Sequence, residues 1–323
     1  MLTYIIRRLL QLIPVLIGIT VISFIVIHLA PGKPTDIMTQ LNPKVSTEAR
    51  EKLERIYGLD KPIYVQYMNW LKKLIKFDFG KSFMDGRPAI EKVLERMPVT
   101  IAINLLSIFL IFLVSIPIGV KSAVNRGSMF DNLTTVCLFA LFAMPGFWIA
   151  LISMSFFGVY LGWLPVSGIT SIDFENYNIF NKVLDVSHHL ILPVLVASLG
   201  GLAGISRYMK QSMLNVINED YIRTARAKGL SEREVIYRHA MRNALLPIVT
   251  IIGLSIPGLL SGSVIFEQVF NIPGMGRLMI EAVFARDYNV IMCDLVIATV
   301  LTLLSILITD IVYCYIDPRI RYG

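Results

Sequence analysis

Four sets of residues in this 323-residue sequence have types and spacings suited to chemistry. Gly80-Lys81-Ser82 has the ending of a phosphate-cradling loop, in which backbone amides wrap the phosphates and the Lys and Ser meet the terminal phosphate and Mg2+. That loop requires glycine five residues earlier, and position 75 is Ile75. No ATP or other nucleotide site is therefore expected in this chain. His188-His189 could offer imidazole nitrogens to a metal, but neighbouring residues on a helix point to different faces and no further His or Cys lies near in sequence. The pair is expected at the start of an apolar helix, at the membrane interface. Cys137, Cys293 and Cys314 all fall within apolar stretches, which predicts buried small side chains, no disulfide and no metal site. The fourth set is acidic: Asp294 and Asp310 lie inside long apolar runs and Glu267 at the end of another. Ionisable groups are costly in hydrocarbon, so such residues are functional candidates by default.

Those runs are the elements that must position everything else. The chain is 55% hydrophobic and 16% charged, with mean hydropathy +0.66, whereas soluble domains carry about 25% charged residues. Long apolar stretches cover 9–30, 99–120, 133–166, 188–206, 244–266 and 290–316. At ~1.5 Å per residue, about 22 residues span ~33 Å, enough for a hydrocarbon core of about 30 Å. The expected fold is an all-α polytopic membrane protein with six transmembrane helices. The first apolar run is longer than a signal-peptide core, and "HLAPGKP" makes a poor cleavage site, so it is expected to remain as an anchor.

Orientation follows from Lys and Arg in short loops. With the N-terminus inside, segments 1–8, 121–132, 207–243 and 317–323 hold fourteen, against three in the short outer loops 162–187 and 267–289. The loop 31–97 is long enough to be largely exempt. Both termini are expected in the cytoplasm of a bacterial or archaeal plasma membrane. Anionic lipid accounts for the net charge of +7 without a nucleic-acid partner.

The chain divides into 1–30 (N-terminus and first helix), 31–97 (an extracytoplasmic loop domain) and 98–323 (a five-helix core with a polar loop at 207–243). In 31–97, "STEAREKLERIYG" predicts a helix capped by Ser46 or Thr47 and ended by Gly58. "KPIYVQYMNWLKKLIK" predicts another, starting near Pro62, with Tyr64, Tyr67, Met68, Leu71, Leu74 and Ile75 on one face. That face should pack on the spanning helices, lie at the interface, or dock an external partner.

The segment 207–243 carries eight Lys/Arg and four Asp/Glu. At roughly 2.5–3.5 kcal/mol for each charge at a membrane centre, burying all twelve would cost on the order of 30 kcal/mol, so it must lie in water. Asp220 is expected to cap a helix from Tyr221 to about Lys228. Gly229 stands where a helix stops, and Ser231 with Glu234 forms a capping box that starts a second helix at Glu232 running toward Ala244.

This stretch resembles the coupling loop of ATP-binding-cassette importer permeases, whose pattern is Glu-Ala-Ala, three residues, then Gly. Arg223-Thr224-Ala225 takes the place of the triplet and Gly229 matches, while the leading Glu and first Ala are absent. "YIRTARAKGLSE" and "HAMRNALLP" are similar to the form in the dipeptide and oligopeptide branch, in particular its B-type subunit. The opening "YIIRRLLQLIPVLIGITVISFIVIHLAPG", "YGLDKPIYVQYMNWL", "MPGFWIAL", "GWLPVSG", "FEQVFNIPGMGRLMIEAVFARDYNVI" and "YIDPRIRYG" also resemble that family. Asn289 departs from it, standing where Pro is expected.

The resemblance implies a type I importer permease fold and a non-catalytic subunit forming half of a peptide pore. Its implied partners are a second homologous permease subunit, two cytoplasmic ATPase subunits that bind ATP and Mg, an extracytoplasmic substrate-binding protein, the peptide and membrane lipid. It places Thr224, Ala225, Gly229 and Leu230 against the ATPase, flanked by Arg223, Arg226 and Glu232, with His239 and Pro247 closing the motif. Asp310 matches a family position near the cytoplasmic end and is expected to pair with a basic loop. Asp294 has two readings, interface water or a subunit contact. Pro257, Gly258, Ser261 and Gly262 suit helix bending and close approach, and with Glu267 they are the candidate gate and pore residues. The alternatives are a permease for nickel or another small solute, and an ion-coupled secondary transporter. The latter should carry inverted repeats and carboxylates at mid-membrane.

Overall fold

The computed structural model describes residues 2–32, 34–36, 47–260 and 262–316, and the described residues are helical with one isolated bridge between Lys81 and Pro88. Four helices are long and apolar enough to cross a membrane: α1 (Leu2–Leu29), α4 (Ala89–Val124), α7 (Ile179–Ile217) and α13 (Tyr288–Ile316). Two further helix pairs, each bent at a short break, bring the count to six where each pair is one span.

Where one continuous third span is expected, α5 (Met129–Ala143) and α6 (Gly146–Ser153, continued by a π turn over Met154–Tyr160) meet at 100°. Pro145 explains the break. It lacks an N–H, and it forces Met144 into an extended conformation, φ −81°, ψ 139°. The apolar run expected from 244 is taken up by α10, which starts at Leu246 and is bent 44° beside Pro247 from the polar helix that precedes it, α9 (Glu232–Ala244). The run ends in a 3-10 turn over Pro257–Leu260.

The frame is the pair α4 and α7. Ser107 Oγ donates to Val194 O (3.4 Å) and Ser115 Oγ to Leu202 O (3.2 Å). A Cβ on Gly119 would lie 2.7 Å from Ser206 O. All three pairs are offset by 87 residues, so the helices run parallel and the chain between them crosses back through α5 and α6. The loop after α4 and the polar segment after α7 therefore lie on one side, and the segment 47–88 that leads into α4 on the other.

On that other side, α2 (Thr47–Tyr57) ends at Gly58 with φ +70° as expected, whereas the proposed cap Ser46 lies outside the described residues. In α3 (Ile63–Leu74) the expected stripe is rotated. Trp70 is buried, and Tyr67, Leu71 and Leu74 pack with it near Phe24 of α1, while Tyr64, Met68 and Ile75 are exposed. Polar bonds fix this seating: Thr20 Oγ1 to Tyr67 Oη at 3.1 Å and His28 Nε2 to Gln66 Oε1 at 3.2 Å.

The Gly80-Lys81-Ser82 turn is a latch. Ser82 Oγ donates to buried Asp287, which also accepts from Phe83 N (3.2 Å) and Val290 N (3.4 Å) at the start of α13. Asn289 Nδ2 donates to Lys81 O (2.7 Å), a tie that proline could not make. The apolar cluster beneath includes Phe79, Val93, Met275, Leu278, Met292 and Val296.

The histidines are structural. His188 Nε2 contacts Trp163 O (2.8 Å) and His189 Nδ1 contacts Asp185 O (2.8 Å). No cluster of His, Cys, Asp or Glu suited to a metal occurs among the described residues. Cys293 is buried, but Cys137 is exposed on α5, contrary to expectation, because none of the described residues covers that face of α5. The Cys314 and Asp310 side chains lie outside the described residues. Asp294 is buried within its own chain, with Oδ1 lacking a described partner, rather than facing interface water.

Candidate functional site

The polar segment folds as two helices around a sharp turn. α8 (Asp220–Ala227) begins one residue earlier than expected: Glu219 occupies the cap position without a side-chain bond, and Asp220 is the first helical residue. Asp220 supports α8 from inside, its carbonyl accepting from Thr224 Oγ1 (3.0 Å) and its carboxylate lying 3.4 Å from Arg223 Nη1. Lys228 N and Gly229 N bond to Thr224 O and Arg226 O, and Gly229 then turns the chain at φ +80°. The capping box is complete: Ser231 Oγ accepts from Glu234 N (3.3 Å), and Ser231 N donates to Glu234 Oε2 (3.2 Å). A π turn over Val235–Ala240, which contains half-buried His239, interrupts α9. Such a turn marks a place where a helix is locally reoriented.

One face of this unit is packed on the ends of the spanning helices. Ile222, Ala225, Val235, Ile236, Ala240 and Ala244 are buried against Val120, Met209, Met213 and neighbours at the ends of α4 and α7. Asn243 Nδ2 donates to Tyr221 Oη (2.7 Å), tying α9 to α8, and Ser212 Oγ donates to Ala244 O (2.7 Å), tying α9 to α7. The opposite face is free: Arg223, Thr224, Arg226, Gly229, Leu230 and Glu232 are exposed. Ala225 is the exception among the expected contact residues. At 7% exposed, its side chain seats α8 on the core and cannot be a tip contact. The anchoring residues were missed by motif reading, yet the apolar i, i+3 pair Ile222/Ala225 and the i+4 series Ile236, Ala240, Ala244 mark them in the sequence.

Arg226 and Glu232 brace the turn with two bonds, Nε to Oε2 at 3.1 Å and Nη2 to Oε1 at 2.8 Å. The hydrogen bond from Arg226 holds the Glu232 carboxyl below the ordinary value of 4.5, and the bond to Ser231 does the same for Glu234. A lowered acid pKa means the brace is fully present above pH 4.5 and is lost as pH falls through the lower folded value. Both partners are well exposed, so the pair is worth about 0.5 kcal/mol. Accordingly, Arg226→Gln and Glu232→Gln should each speed amide hydrogen exchange across 229–232 by about twofold at pH 7. The double variant should be no faster than either alone; additive acceleration would show that the two side chains act separately.

The second set of candidate residues lies on the far side. Pro257 and Gly258 form the 3-10 turn, and Asn104 Nδ2 donates to Gly258 O (3.3 Å) and Leu259 O (2.9 Å). Ser261 lies outside the described residues. Gly262 packs directly on Gly276, where a Cβ would come within 2.2 Å of Gly276 N. Glu267, in α11 (Val264–Val269), does not face an open mouth. It is 4% exposed, accepting from Thr100 Oγ1 (3.0 Å) and from Arg277 N (2.7 Å) in the first turn of α12 (Met275–Phe284).

A family model for "Binding-protein-dependent transport system inner membrane component" matches residues 115–322, and its N-terminal companion matches 1–104. The oligopeptide transport system permease protein AppB of Bacillus subtilis is 45% identical over the full length of both chains. The dipeptide transport system permease protein DppB of Escherichia coli is 36% identical, covering 100% of this chain and 99% of that one. The glutathione transport system permease protein GsiC of Salmonella typhimurium is 35% identical over all of both. Among solved structures, a chain from inward facing conformations of the MetNI methionine ABC transporter shares the fold at TM-score 0.55 and 17% identity. The match covers 71% of this chain and 98% of that one.

Proposed function

The chain belongs to the family of binding-protein-dependent transport system inner membrane components, and on that premise we propose that it is one of two permease subunits of a peptide importer, driven through the α8–α9 unit by separate ATPases. The observation that carries this reading is the unit's two-faced construction. Its buried side is continuous with the ends of α4 and α7, and its exposed tip presents Thr224, Gly229 and Leu230 to water. A push on the tip is thereby delivered to the spanning helices through close-packed side chains, which transmit displacement rather than absorb it.

The polar side is the cytoplasm, in keeping with the Lys and Arg of its short loops. Relatives named for oligopeptides, dipeptides and glutathione favour a peptide cargo over nickel. The 31–97 side receives it from an extracytoplasmic binding protein, and the chemistry of ATP hydrolysis takes place in the partner subunits. A second permease subunit completes the pore.

The test is a single cysteine at Leu230, cross-linked within the assembled transporter in proteoliposomes. Efficient cross-linking to the ATPase, together with arrested uptake of a labelled peptide, is the expected result. Continued ATP-dependent uptake with the tip free of any ATPase would refute the coupling role, and uptake of Ni2+ in place of peptide would refute the cargo.

A further inference from the structure

A cavity of about 310 Å3 opens between the ends of α4, α5 and α7, on the same side as the α8–α9 unit. Thr134, Phe139, Ser206, Arg207, Lys210 and Gln211 are among its lining residues. We propose that it binds a phosphate-bearing group, supplied by a phospholipid headgroup or as soluble phosphate.

Ser206 points to a ligand. It is only 5% exposed, it lines the cavity, and its Oγ has no hydrogen-bond partner among the described residues. A buried hydroxyl left unsatisfied is destabilising, and a bound acceptor would satisfy it. Arg207, one residue on, has its guanidinium 5.7 Å from the Phe139 ring centroid and no carboxylate within ion-pair distance among the described residues. Its donors are free for a phosphate, which matches the planar guanidinium. Lys210 bonds Asp131, and Asp131 also accepts from Gly127 N (3.0 Å), so the one carboxylate nearby is already neutralised. Lys210 keeps two further N–H donors.

The depth is right for a membrane phosphate. Ser206 ends the apolar run of α7, Arg207 is the first cation beyond it, and Leu133 begins the apolar run of α5. The cavity thus sits where hydrocarbon gives way to water. Phe142, one turn beyond the cavity-lining Phe139 on α5, is exposed and offers apolar surface to an acyl chain. Basic pockets between spanning helices at this level are the arrangement that selects anionic headgroups.

The assembled transporter in mixed micelles would be titrated with phosphatidylglycerol or phosphatidylcholine, and bound lipid counted by native mass spectrometry. The expected result is about tenfold stronger retention of phosphatidylglycerol, lost in Arg207→Gln and reduced about threefold in Ser206→Ala. Lys228→Gln, an equal charge change outside the cavity, should leave retention unaltered. A second arm uses inorganic phosphate alone: an Arg207-dependent rise in melting temperature without lipid preference identifies soluble phosphate as the source. Equal retention of both lipids with no Arg207-dependent phosphate effect would overturn the proposal. So would a preference that Arg207→Gln and Ser206→Ala leave intact. Binding is read without transport, so failure here is distinct from failure of the permease reading.

Discussion

Gly229→Arg should leave the protein in the membrane at normal abundance and reduce peptide uptake by about tenfold, with ATP hydrolysis persisting uncoupled. Two separable effects lead there. Gly229 holds φ +80°, where a residue with a Cβ costs roughly 1–2 kcal/mol. Nothing lies within 4 Å of where a Cβ would be, so the penalty is conformational and no clash accompanies it. The long cationic side chain would then project directly from the exposed tip. Asparagine tolerates positive φ, so Gly229→Asn should retain most uptake. Gly229→Val, β-branched and uncharged, should fall between the two if both conformation and bulk matter. Parallel measurement of uptake and ATP turnover in proteoliposomes decides the matter. Full coupled transport by the Arg variant would show that this turn is not the mechanical contact.

Glu267→Ala should lower the stability of the detergent-solubilised protein by about 1–3 kcal/mol, read as a fall in melting temperature. The carboxylate, carried on α11, ties α4 to α12: it accepts from Thr100 Oγ1 in α4 and from Arg277 N in α12. Thr100 Oγ1 in turn accepts from Met275 N (2.9 Å). Removing the side chain leaves buried donors without partners and takes a capping anion from the start of α12. The packing makes a sharper forecast. A Cβ on Gly274 would lie 2.3 Å from Glu267 Cδ, although the Gly274 backbone, φ −106°, is open to any residue. Gly274→Ala should therefore destabilise the wild type but cost little more in the Glu267→Ala background, where the space is vacant. Additive losses in the double variant would show that the two residues are not in contact.

Much of the architecture is legible without coordinates, because a membrane imposes a length and a polarity that each span must meet alone. The four unbroken spanning helices, the Gly229 turn and the Ser231/Glu234 capping box depend on residues near in sequence, and local chemistry determines them. Tertiary structure decided the rest. The sequence marks Pro145 but not the 100° angle it produces between α5 and α6. Helical spacing in α3 admits several faces, and only the position of Phe24 selects Tyr67 and Trp70. Gly80-Lys81-Ser82 is a decoy nucleotide motif until Asp287, some 205 residues away, is brought to it. Glu267 likewise reads as a candidate pore residue at the end of an apolar run, and only the fold shows α4 and α12 enclosing it. In each case the deciding contact joins parts of the chain remote in sequence, and local patterns cannot specify partners that only folding brings within reach.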